Sequence, residues 1–140
     1  MKEKKYELTD ETIEWEGHTL HRIKYLKGNK RVRVKEGQLG GWIESEKNLS
    51  QKSDCYILNM AKVYDNSKVI DSAIVRNNAI VNTNSIISEN AIVSGDTIVC
   101  NSELSGEVEL KGGKVSNSKI TCNAYIDIQG ILDSVIMYEE

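Results

Sequence analysis

Histidine, cysteine and paired carboxylates carry out much of the chemistry that proteins perform, and this 140-residue sequence uses them sparingly. Its two histidines, His18 and His21, both lie near the N-terminus. Acid–base catalysis relies most often on histidine, and no histidine follows residue 21. We therefore predict no catalytic residue, and we interpret both histidines as surface or partly buried residues of a β-hairpin.

The cysteines do not form a metal or redox motif. They are Cys55, Cys100 and Cys122. Their odd number and the lack of a C-x-x-C pair exclude a disulfide scaffold and a cysteine zinc site, and favour a reducing cytosol. Because no histidine in the same region could activate Cys100 as a nucleophile, we interpret all three as structural. We predict neither a metal nor a cofactor.

The composition favours short strands. Isoleucine and valine number 27 against nine leucines, and β-branched residues favour strands over helices. No run approaches the roughly 20 apolar residues of a membrane span. The polar N-terminus lacks the apolar core of a secretory signal peptide. The net charge of −3 neither favours nor excludes a nucleic-acid partner.

The chain divides near residue 53 into a leader, residues 1–53, and a second region, residues 54–140. The leader has 12 basic and nine acidic residues, a net charge of +3, whereas the second region has six basic and 12 acidic residues, a net of −6. In the leader, alternating segments at 12–15 and 20–25 flank a Gly17 turn and predict an antiparallel hairpin, and residues 32–35 alternate in the same way. We predict a small N-terminal β cap.

The second region contains an internal repeat of six residues. Read from Ala61, the blocks are AKVYDN, SKVIDS, AIVRNN, AIVNTN, SIISEN, AIVSGD and TIVCNS. In all seven, the first residue is small, the third is β-branched and the sixth is a turn former. The fifth position of the blocks includes the carboxylates Asp65, Asp71 and Glu89. We expect this position to lie in solvated turns.

Such short units become stable only by coiling and stacking on one another, so the repeat predicts an all-β parallel solenoid. The register slips at residues 103–118, where we predict a distorted coil, and it resumes at Ile120. The chain ends in an apolar tail, which we expect to close an open edge or to join another subunit.

Two resemblances follow from these motifs. The alternation of a bulky aliphatic residue with a small residue four positions later resembles the hexapeptide repeat of left-handed parallel β-helices. The leader, above all its stretch GGWIESEKNLS, resembles phage- and prophage-encoded β-helix repeat proteins.

These resemblances imply a short left-handed parallel β-helix with three hexads per coil. About four and a half coils would then lie between Cys55 and Val135, with Val63, Val81 and Val99 in one column. They also imply that Trp42 and its preceding glycines cap the first coil, and that the protein works in the cytoplasm of a bacterial host.

The second position of the hexads suggests a binding surface. Because strand side chains alternate, neighbours of the inward residues point outward. After two lysines, this position is isoleucine in five successive blocks. These residues are Ile74, Ile80, Ile86, Ile92 and Ile98. Exposed apolar surface commonly marks an interaction site, so we predict protein binding or homodimer formation through them. The alternative is that the leader or the tail covers some of them.

A second candidate surface is basic. Residues 22–35 contain seven lysines and arginines and no acid, and such clusters contact phosphates in nucleic-acid-binding proteins. The candidate contacts are Lys30, Arg31, Arg33 and Lys35. A charged edge that prevents strand pairing has the same composition, and we favour that interpretation.

The sequence thus predicts a non-enzymatic β-solenoid that acts by protein–protein binding, as a homodimer and without membrane contact. The phage resemblance suggests a host protein as the partner, most concretely a defence complex that the chain inhibits as an anti-CRISPR does. The alternatives are a hexapeptide-type acyltransferase and a nucleic-acid-binding protein.

Overall fold

The computed structural model describes residues 4–138, and three sheets wind into one coil. We call the sheets faces A, B and C in the order in which each coil passes through them. Face A comprises β1 (Tyr6–Trp15), β2 (His18–Tyr25), β3 (Leu39–Ile43), β5 (Lys62–Val63), β8 (Ile80–Asn82), β11 (Ile98–Cys100), β14 (Lys114–Ser116) and β17 (Ile131–Asp133). Face B comprises β6 (Lys68–Val69), β9 (Ile86–Ile87), β12 (Glu103–Gly106), β15 (Lys119–Cys122) and β18 (Ile136–Tyr138). Face C comprises β4 (Tyr56–Ile57), β7 (Ile74–Val75), β10 (Ile92–Ser94), β13 (Glu109–Lys111) and β16 (Tyr125–Asp127).

Successive coils stack in parallel register, which confirms the predicted all-β solenoid. Val63, Val81 and Val99 form one inward column of face A and are completely buried, as predicted. The coil makes about six turns rather than about four and a half. The extra length arises because β3 of the leader pairs in parallel with β5, because β18 extends the coil beyond Val135, and because the later coils are shorter than 18 residues.

The fifth residue of every hexad has a positive φ at the corner, and among the sixth residues only Asn84 does. Asp65, Asp71 and Asn77 are exposed and have φ between 59° and 64°, a region that Asn and Asp tolerate better than most residues. Their side chains also join the coils. The backbone N–H of Asn77 donates to Oδ1 of Asn59 over 3.0 Å, and the backbone N–H of Gly95 donates to Oδ1 of Asn77 over 2.9 Å.

A buried ladder of serines runs along the corner between faces A and B. Each Oγ accepts a hydrogen bond of 3.0–3.1 Å from a backbone N–H of the following coil. The ladder consists of Ser67, Ser85, Ser102, Ser118 and the N–H of Val135. The serines thus satisfy amide groups at a corner where the sheets are interrupted.

The register slip near residues 103–118 shortens the coils without interrupting the sheets. Ile98 pairs with Ile80, 18 residues earlier, but with Lys114, 16 residues later. Part of the loss falls at the corner between faces A and B, where Asn101 and Asn117 turn with φ of 46° and 49°. Their side chains are hydrogen-bonded to each other over 2.6 Å.

The leader covers the N-terminal end of the coil. The predicted hairpin forms as β1 and β2, and β3 lies between β2 and β5. Residues 32–35, which alternate like a strand, belong instead to a turn closed by a bridge between Asn29 and Val34. The Tyr25 hydroxyl donates to the carbonyl of Ile57 and accepts from its N–H, each over 2.9 Å, which fixes the leader on the first coil.

The Gly-Gly-Trp stretch forms the first parallel strand of face A beside β5, and the Trp42 side chain packs on the outer side of this face instead of over the end of the coil. A Cβ on Gly41 would lie 2.5 Å from the carbonyl oxygen of Ala61, which explains why only glycine fits this crossing. The strand register places Ile43 inward and Trp42 outward, beside Lys62.

Candidate functional surfaces

The five predicted binding isoleucines lie on three different faces. Ile80 and Ile98 are neighbours on face A, Ile74 and Ile92 are neighbours on face C, and Ile86 lies on face B. They therefore do not form one contiguous patch. Ile74 is buried and the other four are half-buried, whereas the sequence predicts five exposed side chains.

The leader covers two of the isoleucines, Ile74 on face C and Ile80 on face A. Ile74 shares a narrow groove with Val32 of the leader and with Leu58. Ile80 packs against an apolar cluster on the outer side of face A. Alternation along the strands could not reveal this cover, because the path of the leader is not periodic.

The tip of the leader hairpin contacts the outer side of face A and builds this second apolar cluster. We call its six members the hairpin cluster: Leu20, Trp42 and Tyr64, which are buried, and Ile13, Trp15 and Ile80, which are half-buried. Lys62 Nζ lies 4.4 Å from the centroid of the Trp15 ring, and burial lowers the pKa of Lys62. Trp42 Nε1 is buried and has no acceptor among the described residues.

The hairpin also brings His18 onto the solenoid, a placement that the sequence analysis missed. His18 Nδ1 lies 2.8 Å from Glu44 Oε2, and Glu44 Oε1 accepts a hydrogen bond from the Asp65 N–H over 2.9 Å. The hydrogen bond with Glu44 raises the pKa of His18. The pair lines an open groove of about 790 Å³ together with Lys47 and Lys68. Nothing in the sequence pattern links residues 18 and 44 before the hairpin is folded.

His21 has the structural role that the sequence predicts. Its Nδ1 lies 3.2 Å from the carbonyl oxygen of Thr9, within the hairpin. It therefore takes no part in the groove beside Glu44.

The basic candidate residues lie in the turn between β2 and β3, and all four are exposed. Arg31 is neutralised locally, because its Nε donates to Asp54 Oδ2 over 2.7 Å and its Nη2 donates to the Asp54 carbonyl over 2.6 Å. Lys30, Arg33 and Lys35 project from the same turn. The nearby Asp54 carboxylate therefore offsets one of the positive charges of this segment.

Cys55 lies beside a buried lysine that the sequence analysis did not single out. Lys5 Nζ donates to the carbonyls of Ser53 and Cys55 over 2.8 and 2.6 Å, and it lies 3.6 Å from Cys55 Sγ. Burial lowers the pKa of Lys5 and raises the pKa of the Cys55 thiol. Because the thiolate is the nucleophilic form, this thiol is poorly suited to covalent catalysis.

Two further findings on the described residues concern metal sites and membrane spans. Among residues 4–138, no group of three or more histidine, cysteine, aspartate or glutamate side chains is placed to hold a metal ion. In the same range, no helix is long and apolar enough to cross a membrane.

Comparison with known proteins adds no relative: no protein-family model matches the sequence, and no curated protein does. The fold therefore defines the class, which is a parallel β-solenoid of about six turns with a β-hairpin leader.

Proposed function

We propose that this chain is a non-enzymatic binding protein that contacts a protein partner through the outer side of face A. The observation that carries the proposal is the hairpin cluster together with Ile98, which continues the column beside Ile80. Leu20, Trp42 and Tyr64 are buried within this cluster, so its accessible part consists of the half-buried Ile13, Trp15 and Ile80 beside the partly desolvated Lys62. Aromatic anchors surrounded by polar groups are typical of protein interfaces.

The isoleucines on the other two faces are not part of the hairpin cluster. Ile86 lies between Lys68 and Glu103 on face B, and Ile92 lies between the buried Ile74 and Glu109 on face C. Ile80 and Ile98 are therefore the principal contacts in our proposal. Ile86 and Ile92 are secondary contacts, and Ile74 contributes to packing.

The class of partner rests on the resemblance of the leader to phage-encoded proteins. We propose a protein of the bacterial host, met in the cytoplasm. The most specific version is a defence complex that the chain inhibits in the manner of an anti-CRISPR.

Three matched variants test the choice of face. Ile98→Lys, Ile86→Lys and Ile92→Lys place the same charge at half-buried positions of faces A, B and C. Affinity capture from bacterial lysate should recover one stoichiometric protein with the native chain, and Ile98→Lys alone should lose it. Capture that survives Ile98→Lys, or no captured protein from any lysate, would contradict the proposal.

The second candidate function is acyl transfer of the hexapeptide type, and the His18–Glu44 pair favours it. A carboxylate that orients an imidazole is a common arrangement for a general base, and here it faces coil residues across a groove. The test is thiol release from acyl-coenzyme A donors with amine and alcohol acceptors. Release that His18→Gln abolishes would favour the enzyme, and no release above a buffer control would exclude it for these donors.

A further inference from the structure

The exposed apolar side chains are concentrated at the C-terminal end of the coil. Among residues 4–138, six large apolar side chains are exposed, and four of them belong to the last coil. They are Tyr125, Ile131, Ile136 and Tyr138, which are 59–75% exposed. The other two, Leu39 of β3 and Met60 between β4 and β5, are 44% and 43% exposed.

On every face, the outward column changes from charged to apolar at its last strand. Lys114 is followed by Ile131 on face A, Lys119 by Ile136 on face B, and Glu109 by Tyr125 on face C. Edge strands are usually protected by charged side chains, especially lysine, because an unprotected edge pairs with other strands. Here the charged residues stand one strand before the edge.

The last strands also present unused backbone groups. No described strand lies beyond β16, β17 and β18. On either side of β17, the carbonyl of Gly130 and the N–H of Ser134 bond to the preceding coil. Because ladder bonds alternate along a strand, the backbone groups of Ile131 and Asp133 face the open edge.

The core remains incompletely covered at this end. Ile126, Leu132 and Met137 point inward but are only half-buried, whereas the residues one coil earlier are completely buried. Those earlier residues are Leu110, Val115 and Ile120.

We propose that the last coil, residues 124–138, is the contact surface for a second copy of this chain, joined end to end about a two-fold axis. The last coil has one open strand edge on each of its three faces. A second copy of this chain has three open edges at the same spacing, so all three can pair with it. Rotation about a two-fold axis across the end makes all three edge pairs antiparallel at once. The interface is then self-complementary and closes after two copies.

The opposite end of the solenoid does not offer an alternative docking site. There the leader lies over the first coil, and its own Tyr6, Tyr25 and Val34 are buried in the core. Head-to-tail stacking, which would form filaments, is therefore blocked. Antiparallel pairing of the two open ends instead places the exposed side chains of Tyr125, Ile131 and Ile136 beside apolar cross-strand neighbours.

The charges of the last coil predict how this contact responds to salt. Its described charged residues are Asp127 and Asp133, and no lysine or arginine follows Lys119 in the sequence. The Asp133 carboxylate accepts hydrogen bonds from Asn117 and Ser116 of the preceding coil, each over 3.0 Å, which directs it away from the edge. Two like-charged ends repel weakly, so added salt should strengthen the dimer.

Sedimentation equilibrium tests the proposal with matched double variants. The native chain should sediment at twice 15.7 kDa, and Ile131→Lys/Ile136→Lys should be a monomer. Both side chains are exposed, so folding should be preserved, which circular dichroism and the unfolding midpoint would verify. Ile98→Lys/Ile86→Lys makes the same changes on the same two faces within the coil, and this control should remain a dimer.

Salt distinguishes a second copy from a basic partner protein. The dissociation constant of the dimer should fall severalfold between about 50 and 500 mM salt, whereas binding to a basic surface would weaken. A monomeric native chain at about 100 µM, a dimer that survives the end variant, or species that grow with concentration would each overturn the proposal. The inference is independent of the proposed partner on face A, because mass and target capture respond to different variants.

Discussion

At the N-terminal end of the solenoid, Tyr6, Tyr25 and Val34 of the leader are at most 4% exposed, whereas Leu132 and Met137 at the C-terminal end remain half-buried. Both ends face the same requirement, since a stacked coil buries its interior only where another layer follows. A non-periodic leader supplies that layer at one end. At the other end the last described strands are β16, β17 and β18, whose inward residues Leu132 and Met137 are still half-buried.

Two tyrosines at opposite ends give the largest expected contrast. Tyr25 is completely buried and its hydroxyl makes two hydrogen bonds with Ile57, so Tyr25→Ala should lower the free energy of unfolding by about 3–5 kcal/mol. Tyr125 is 59% exposed, and Tyr125→Ala in the monomeric end variant should change it by less than about 0.5 kcal/mol. Urea unfolding measures both, and equal losses would show that the two ends do not differ in packing.

Two glycines give the next contrast. A Cβ on Gly41 would lie 2.5 Å from the Ala61 carbonyl oxygen, so Gly41→Ala should cost about 1–3 kcal/mol through displacement of β3 from β5. Gly130, beside the open edge, has no atom within 4 Å of such a Cβ, and Gly130→Ala should be nearly neutral. Thermal unfolding of the two variants decides the point; a neutral Gly41→Ala would mean that the leader is not held against the coil.

The serine ladder tests how stability changes between the two ends. Ser85 is completely buried within the coil, and Ser85→Ala leaves the Ser102 N–H without its acceptor at an expected cost of about 1–3 kcal/mol. Ser118 accepts from Val135 in the last coil, where water can replace the lost bond, so Ser118→Ala should cost less. Hydrogen exchange at the Ser102 and Val135 amides would check this directly, and the reverse order of protection would contradict it.

The repeat carried most of the information about the fold. Three hexads per coil, which the resemblance to hexapeptide-repeat β-helices implies, place Val63, Val81 and Val99 in one column, and the structure has this column. The leader has no such period. The parallel pairing of β3 with β5, and with it the number of turns and the orientation of Trp42, depends on a contact that the repeat does not encode.

The candidate surfaces were less predictable for the same reason. Ile80 and Ile98 are neighbours on face A, but the cover over Ile80 is supplied by the hairpin. His18 meets Glu44 across 26 residues of sequence, and neither residue stands in a recognisable catalytic spacing. Local patterns therefore identified the strands, and long-range packing of the leader determined which side chains are accessible.

Titration should give the smallest contrast, with opposite signs at the two ends. The pKa of His18 is raised above its ordinary 6.5 by Glu44, so the folded state binds the extra proton more tightly. The resulting stabilisation should be fully present below pH 6.5 and disappear as the pH rises through the raised value. We expect about 0.2–1 kcal/mol, measured as the difference between the native chain and His18→Gln in urea unfolding from about pH 5.5 to 8.5.

Asp133, at the open end, shows the reverse dependence. Hydrogen bonds from Asn117 and Ser116 hold its pKa below the ordinary 3.8. Its contribution is therefore present above pH 3.8 and is lost as the pH falls through the lowered value. The Asp133→Asn variant should lack this loss of stability at acid pH, and it should keep the change in stability near neutral pH that His18 causes. A neutral-pH step that persists in His18→Gln would show that the contact between His18 and Glu44 does not hold the leader in place.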